Sequence, residues 1–269
     1  MKTFLITGAT SGIGEACARQ CLAQGDQVVA LCRNLEKAQS KFGPEIAAGT
    51  FVPLQYDLGH NADLFAFCLE HLKPYTIERC IHCAGFTVVQ KLTSTNYDTL
   101  QKMFETHVFS LAEMVRALLR LRKVDHELSI VAVSSVASHA LSMSTGAYCM
   151  AKASMDYYVR FVNKLINSGK QKRLPPPAHL LAQAEAIADP VERERAIFMA
   201  KAQSGLMLRI NAYNPSSIET AIFDYDFAKD QGIMLPLIPM DVVVEGIFDL
   251  LENQYISGQS IVVNNDAAY

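Results

Sequence analysis

The chain alternates short, nearly unbroken apolar runs with longer stretches in which apolar residues recur at helical spacing. The runs, rich in Val, Ile and Leu, fall at 3–7, 27–32, 50–56, 77–83, 128–134, 206–213 and 259–263. Between them lie segments such as EACARQCLAQG, DTLQKMFETHVFSLAEMVRALLRLR and AYCMAKASMDYYVRFVNKLI, whose periodicity predicts helices. A strand that is apolar along its whole length is covered on both faces, and a helix between strands returns the chain in the same direction. The pattern predicts an α/β fold, a doubly wound seven-stranded parallel sheet with helices on both sides. No internal repeat interrupts the alternation, so residues 1–269 read as a single domain.

Ligands of such a Rossmann-type sheet sit beyond the carboxyl ends of its strands. The residues that follow each apolar run are therefore the ones to read for chemistry. After the first run comes TGATSGIG, with Gly8, Gly12 and Gly14 between a strand and a helix. A glycine-rich turn there lets backbone N–H groups approach a pyrophosphate, and the helix N-terminus adds partial positive charge. Gly8, Thr10, Ser11, Gly12, Ile13 and Gly14 become candidate cofactor contacts, with a flexible loop as the competing account. The second run ends in Cys32, followed by Arg33 and Asn34. No carboxylate stands where one would hold a ribose 2′-hydroxyl, and a guanidinium that can pair with a 2′-phosphate stands instead. This favours NADP(H), unless Arg33 is only a solvated charge at the start of a helix. Asp57 and Leu58 follow the third run, where the carboxylate either accepts from an adenine amino group or, like Asn61, caps a helix.

The catalytic candidates are Ser135, Tyr148 and Lys152. Tyr148 and Lys152 stand four apart at the start of a strongly helical segment and so share a face. Ser135 ends the run SIVAVSS, where a nicotinamide would lie. Reducing a carbonyl by hydride leaves charge on oxygen that must be protonated, and a free phenol has a pKa of about 10. A neighbouring ammonium and a positive nicotinamide ring are expected to lower it. Ser135 would steady the substrate oxygen, and Lys152 would also bond the nicotinamide ribose.

Taken in order, TGATSGIG, Asp57, Ala84-Gly85, VSS, YCMAK, INAYNP and the terminal ISGQSIVVNND resemble the short-chain dehydrogenase/reductase family over nearly the whole chain. The resemblance implies transfer of the pro-S hydride between NADP(H) and a small-molecule carbonyl or alcohol. It places Ala84 and Gly85 at the cofactor and makes 211–220 a loop over the nicotinamide. In that loop Pro215 precedes Ile218, which would contact the carboxamide through its backbone, and Thr220, which would do so through its hydroxyl. A substrate lid is implied near 216–239, and a homodimer or homotetramer in which the long helix packs on a partner. Three departures stand out. His82-Cys83 replaces the usual NN before AG, His107 stands where a helical Asn completes the family's proton relay, and Ser216 replaces a common Gly. Imidazole also relays protons near neutral pH, so His107 either substitutes for the Asn or is a packed side chain. The altered histidines keep open a second reading, a catalytically silent NADP(H)-binding sensor.

The spacing from Tyr148 to Asn211 exceeds the family's, which leaves a helical insertion near 168–205. Its PPP at 175–177 predicts a stiff piece. HLLAQAEAIA and VERERAIFMAKA predict two short amphipathic helices around an Asp189-Pro190 cap. Candidate substrate contacts are Phe86, Thr87 and Val88, the segment 138–145, and 223–227 in the lid. They suit a moderately apolar ketone, aldehyde or secondary alcohol. His139 either lines that pocket or sits on the surface.

Composition narrows the setting. Half of 269 residues are hydrophobic, enough for one sizeable core, and a net charge of -3 without a basic block argues against nucleic acid. No stretch approaches the ~20 apolar residues of a membrane span, and the first apolar run is too short for a secretory signal. Of seven cysteines only Cys80 and Cys83 form a CxxC, with no second pair to complete a metal site. Free buried thiols, no metal and a cytoplasmic setting are expected.

Overall fold

A computed structural model describes residues 1–122, 126–140, 144–167, 176, 178–202, 207–216, 218 and 237–263. Seven strands, β1 (Thr3–Thr7), β2 (Gln27–Cys32), β3 (Phe51–Gln55), β4 (Arg79–His82), β5 (Leu128–Val133), β6 (Leu208–Pro215) and β7 (Ser260–Val263), form one sheet. Their order is β3-β2-β1-β4-β5-β6-β7 and every neighbouring pair is parallel. The chain winds outward from β1 in one direction and from β4 in the other, which opens a crevice at the carboxyl ends where the order reverses.

The strands are apolar throughout because both faces are covered. Along β1, Phe4 and Ile6 join one core cluster and Leu5 the other; along β2, Val28 and Ala30 oppose Val29 and Leu31. Helices α1 (Gly12–Ala23) and α9 (Met240–Glu252) cover the first face through Cys17, Cys21, Val243 and Ile247. Helices α3 (Leu64–His71), α5 (Ser110–Leu121) and α6 (Gly146–Asn167) cover the second through Cys68, Met114, Leu118, Met155 and Val159.

Three details differ from the sequence reading. The long helix expected after residue 97 is α4 (Tyr97–Phe104), a π turn over Glu105–Phe109, then α5. Such one-turn widenings gather at functional sites, and this one carries His107. Strand β6 extends to Pro215 because it pairs with β7 up to Pro215–Val263. Residues 211–215 are therefore strand and not loop. The side chain of Asn211 is absorbed by that edge, donating to the Ile256 carbonyl and accepting from the Gln259 N–H. Beyond α6, α7 (Ala178–Glu185) and α8 (Pro190–Ala202) form the expected pair, with Asp189 Oδ1 accepting from the Glu192 N–H at 2.8 Å. Val191 and Phe198 of α8 are nonetheless exposed, so it lacks a clean polar face.

Candidate active site

The turn after β1 is built by close approach. Gly8 has φ +69, a conformation that side chains disfavour. A Cβ on Gly14 would stand 2.4 Å from the Gly8 carbonyl oxygen, so only glycine lets α1 start against the turn. Ser11, at the N-cap, makes no side-chain capping bond, which leaves the first-turn N–H groups of α1 without a capping acceptor.

A cleft of about 580 Å³ opens over this turn, lined by Gly8, Thr10, Ser11, Arg33, Asn34, Lys37, Asp57, Leu58, Ala84, Gly85 and Phe86 among others. Gly12, Ile13 and Gly14 lie behind it as the first turn of α1. Asn34 accepts from the Lys37 N–H at 2.8 Å, so it is the cap of helix α2 (Leu35–Ala47) as well as part of the wall. Lys37, in the first turn of α2, joins Arg33 as a second cation, one that the sequence reading missed; its place just after the Asn34 cap was the available signal. Neither forms an ion pair among the described residues, in contrast to Arg19 and Lys41, which both pair with Glu15. Asp57 Oδ1 accepts from the Gly59 N–H at 3.0 Å, and the residue before α3 is Asp63. Neither Asp57 nor Asn61 caps that helix. Asn61 instead bonds the Leu58 and Glu105 carbonyls and the Glu105 carboxylate.

Cleft and catalytic candidates are joined by polar threads. Thr7 Oγ1 accepts from the N–H groups of Cys83 (3.1 Å) and Ala84 (3.0 Å), so its proton goes to His82 Nδ1 at 3.0 Å. That makes Nε2 of His82 the donor to Ser110 Oγ at 3.4 Å, and Ser110 donates to the Thr106 carbonyl at 2.6 Å. Burial, then the nearby Lys152, pushes His82 down to about 3, so it stays neutral. Its place is structural, tying the tip of β4 to the π turn. His107 is buried, with Nε2 2.8 Å from the Phe86 carbonyl oxygen and 3.2 Å from the Phe86 N–H nitrogen, and Nδ1 without a hydrogen-bond partner among the described residues. Burial first, then Lys152, holds it well below the ordinary imidazole range. Its ring meets Tyr148 edge-on at 5.6 Å and Phe86 at 5.9 Å, and a Cβ on Gly85 would stand 2.5 Å from its Cε1.

Ser135, Tyr148 and Lys152 come together beyond Phe86. The Ser135 hydroxyl accepts from the Ala137 N–H at 3.2 Å and lies close enough to the Tyr148 phenol to act on it, and Lys152 Nζ is 5.4 Å from the Tyr148 ring centre. Contrary to expectation, the phenol is pushed up to about 12, because burial outweighs the Ser135 hydrogen bond. The ammonium that was to acidify it is turned to the Val133 carbonyl oxygen at 2.8 Å. Burial lowers Lys152 to about 8, against smaller opposing effects of Cys83 and Asp156.

Phe86 and Val88 pack with Tyr148, Met103 and Ala147 in a small apolar cluster beside the triad. Ser138, a candidate substrate contact by sequence, is turned inward onto Asp156, and His139 is half exposed and faces the same carboxylate at 3.3 Å. Ile218 is buried in the core cluster of α1 and α9. Thr220, residues 141–143, 223–227 and most of the expected lid lie outside the described residues.

The family model for short chain dehydrogenase matches residues 2–169. Bovine dehydrogenase/reductase SDR family member 11 is 30% identical over 145 residues, 51% of this chain and 56% of that one. Bovine retinol dehydrogenase 8 is 33% identical over 143 residues, 50% and 45% of the two chains. The chain thus spans about half the length of these curated relatives. Among solved structures, a Burkholderia cenocepacia short chain dehydrogenase in complex with NADP superposes with a TM-score of 0.76 at 17% identity, covering 100% of this chain and 98% of that one. A 4-hydroxyisoleucine dehydrogenase complexed with NADH gives 0.75 at 17% identity, covering 98% and 97%. These two similarities concern the fold, and their nucleotides differ. With the seven-stranded parallel sheet and the glycine turn, the family match leads to one assignment: the chain belongs to the short-chain dehydrogenase/reductase family of oxidoreductases.

Proposed function

We propose that the protein is an NADP(H)-dependent oxidoreductase that interconverts a carbonyl and a secondary alcohol on a moderately apolar small molecule. The observation that carries this reading is the convergence of Ser135, Tyr148 and buried Lys152 next to a glycine-floored cleft whose far rim holds two cations that make no ion pair among the described residues. The cleft suits a dinucleotide: Gly8 brings bare backbone to its wall, Gly14 lets α1 start close against that turn, and Arg33 and Lys37 offer charge to a 2′-phosphate. Asp57 keeps Oδ2 for an adenine amino group, and Ala84 and Gly85 provide backbone beside the ribose. Pro215, Ile218 and Thr220 are assigned to the nicotinamide end. Bound nicotinamide supplies or accepts the hydride.

The chain's own part is proton handling. Tyr148 holds its proton at neutral pH and gives it to the oxygen on which charge develops. Ser135 bonds that same oxygen. Lys152 places a positive charge beside the phenol as it loses its proton. His107, whose Nδ1 is unpartnered among the described residues, has a ring nitrogen left to bond a water that carries the replacement proton. Phe86 and Val88 give the substrate side an apolar wall.

The same reading gives a homodimer or homotetramer. Met150, Tyr157 and Phe161 expose an apolar stripe at helical spacing along α6. It also gives a cytoplasmic setting, to which seven free cysteines, six of them buried, are suited. Among the described residues no helix is long and apolar enough to cross a membrane.

The test is NADPH consumption across a panel of ketones and aldehydes, with nucleotide affinity measured in parallel. Turnover on apolar carbonyls with tighter NADPH than NADH binding is expected. Tight nucleotide binding with no turnover on any compound would favour the silent sensor.

A further inference from the structure

The carbonyl-side geometry depends on a residue that neither the family pattern nor the cleft singles out. Asp156 lies on α6, one turn beyond Lys152 and two beyond Tyr148, and is almost fully buried. Its Oδ2 accepts from Ser138 Oγ at 2.8 Å, Asn214 Nδ2 at 2.6 Å and Ser260 Oγ at 2.7 Å, and His139 Nε2 is 3.3 Å away. The donors come from three places: the turn that follows Ser135, the tip of β6 just before Pro215, and the start of β7. Ser138 is also within 2.8 Å of the Ser135 carbonyl oxygen and accepts from Asn214 at 2.8 Å. Hydrogen bonds to a buried carboxylate are strong and directional, and an orphaned partner is costly. A single oxygen thus holds the helix of Tyr148 and Lys152, the turn of Ser135 and the strand that leads to the nicotinamide end.

We propose that Asp156 is a positioning residue, whose buried carboxylate sets the spacing between Ser135 and the Tyr148–Lys152 helix and anchors the β6 tip against both. The inference rests on the oxidoreductase reading given above. The carboxylate also bears on the amine. The titratable groups facing Lys152 are Tyr148 and Asp156 on its own helix, Cys83 and His82 at the end of β4, and His107 on the π turn. Cys83 helps the ammonium only as a thiolate, and its hydrogen bond with Cys17 and its burial hold that thiol well above the ordinary range. Both histidines are held neutral. The carboxylate beside Lys152 is that of Asp156. Facing Asp156 itself are Lys152 and the half-exposed His139.

The experiment compares wild type with Asp156→Asn, Asp156→Glu and Ser138→Ala in the full chain. It reads kcat against pH, NADPH affinity, and the titration of Lys152 by NMR on lysine-labelled protein. Asp156→Asn should lower kcat by about tenfold or more, as a displaced catalytic pair does, with NADPH affinity within about twofold. Losing the anion destabilises the ammonium, so its alkaline limb and the Lys152 midpoint should both move to lower pH. Asp156→Glu, with the charge kept but the oxygen moved, should restore the limb and not kcat. Ser138→Ala should lower kcat and leave the limb in place. If Asp156→Asn changes only thermal stability, with kcat, limb and Lys152 midpoint as in wild type, the proposal is overturned. Should Asp156→Asn fail to fold, the Glu and Ser138→Ala variants decide by the same readouts. A wild type without turnover would sink the oxidoreductase reading instead, and the Lys152 midpoint would still judge Asp156.

Discussion

The two edges of the sheet treat buried polar groups in opposite ways. At the amino edge, Arg79 bonds Glu252 at 3.0 Å and Glu127 at 3.2 Å, Arg209 bonds Glu127 at 2.5 Å, and Lys2 reaches Glu252 at 2.8 Å. Cations and carboxylates are interleaved, and the network staples β1, β4, β6 and α9. At the carboxyl edge, buried Lys152 meets a carbonyl oxygen and, among the described residues, no carboxylate directly. Among the described residues, His107 Nδ1, Thr87 Oγ1, Asn214 Oδ1 and Ser216 Oγ are buried there without hydrogen-bond partners, as Ser129 Oγ is at the amino edge. Unsatisfied polar groups cost stability in isolation. Thr87 follows β4, His107 lies on the π turn, and Asn214 and Ser216 stand at the end of β6.

That contrast can be broken by substitution. The largest effect is expected from Lys152→Met at the carboxyl edge. Removing a buried amine whose pKa burial has lowered to about 8 should leave thermal stability level or higher. Turnover should meanwhile fall by about 10²–10⁴. A melting curve and an NADPH assay on one preparation check both, and a large loss of stability would erase the distinction between the edges. Next comes Arg33→Ala, expected to weaken NADPH binding by about 10- to 100-fold, the range of a lost charge-assisted bond, while barely changing NADH. Equal losses for both nucleotides would remove Arg33 from the phosphate.

The smallest effect belongs to the amino edge. Glu252 is held down at about 2, since Arg79 and Lys2 overcome the burial that would raise it. A carboxylate depressed in the folded state contributes stability above its unfolded pKa near 4.5, lost as pH falls through about 2. Because Glu252 is nearly half exposed, screening keeps the contribution small. Glu252→Gln should lower the Tm by about 2–5 °C at neutral pH, with the gap closing towards pH 2 and kcat unchanged. A gap independent of pH would show that the ion pairs are not its source.

Much of this arrangement was legible in the chain. Seven apolar runs gave seven strands, because a strand covered on both faces cannot hide its composition. The glycine turn was readable since Gly14 has no substitute that fits under the Gly8 carbonyl. What escaped was what sequence spacing does not encode. The π turn shifts His107 within a stretch whose periodicity reads as one helix. Asn211 and Asn214 look like loop residues until the segment leading into β7 and Asp156 are seen to take up their side chains. Tyr148 and Lys152 were legible as a pair, but the direction of the phenol's shift was not. It depends on burial by the surrounding apolar cluster, which local spacing cannot weigh against a charge four residues away.

The central claim is that the Tyr148 phenol is the proton donor to a carbonyl reduced at this cleft. Its most direct test is single-turnover NADPH oxidation by wild type and Tyr148→Phe, both saturated with nucleotide and with the best carbonyl of the panel. The account predicts equal NADPH affinity and a rate at least about 10²-fold lower in the variant. Equal rates in the two proteins would contradict it.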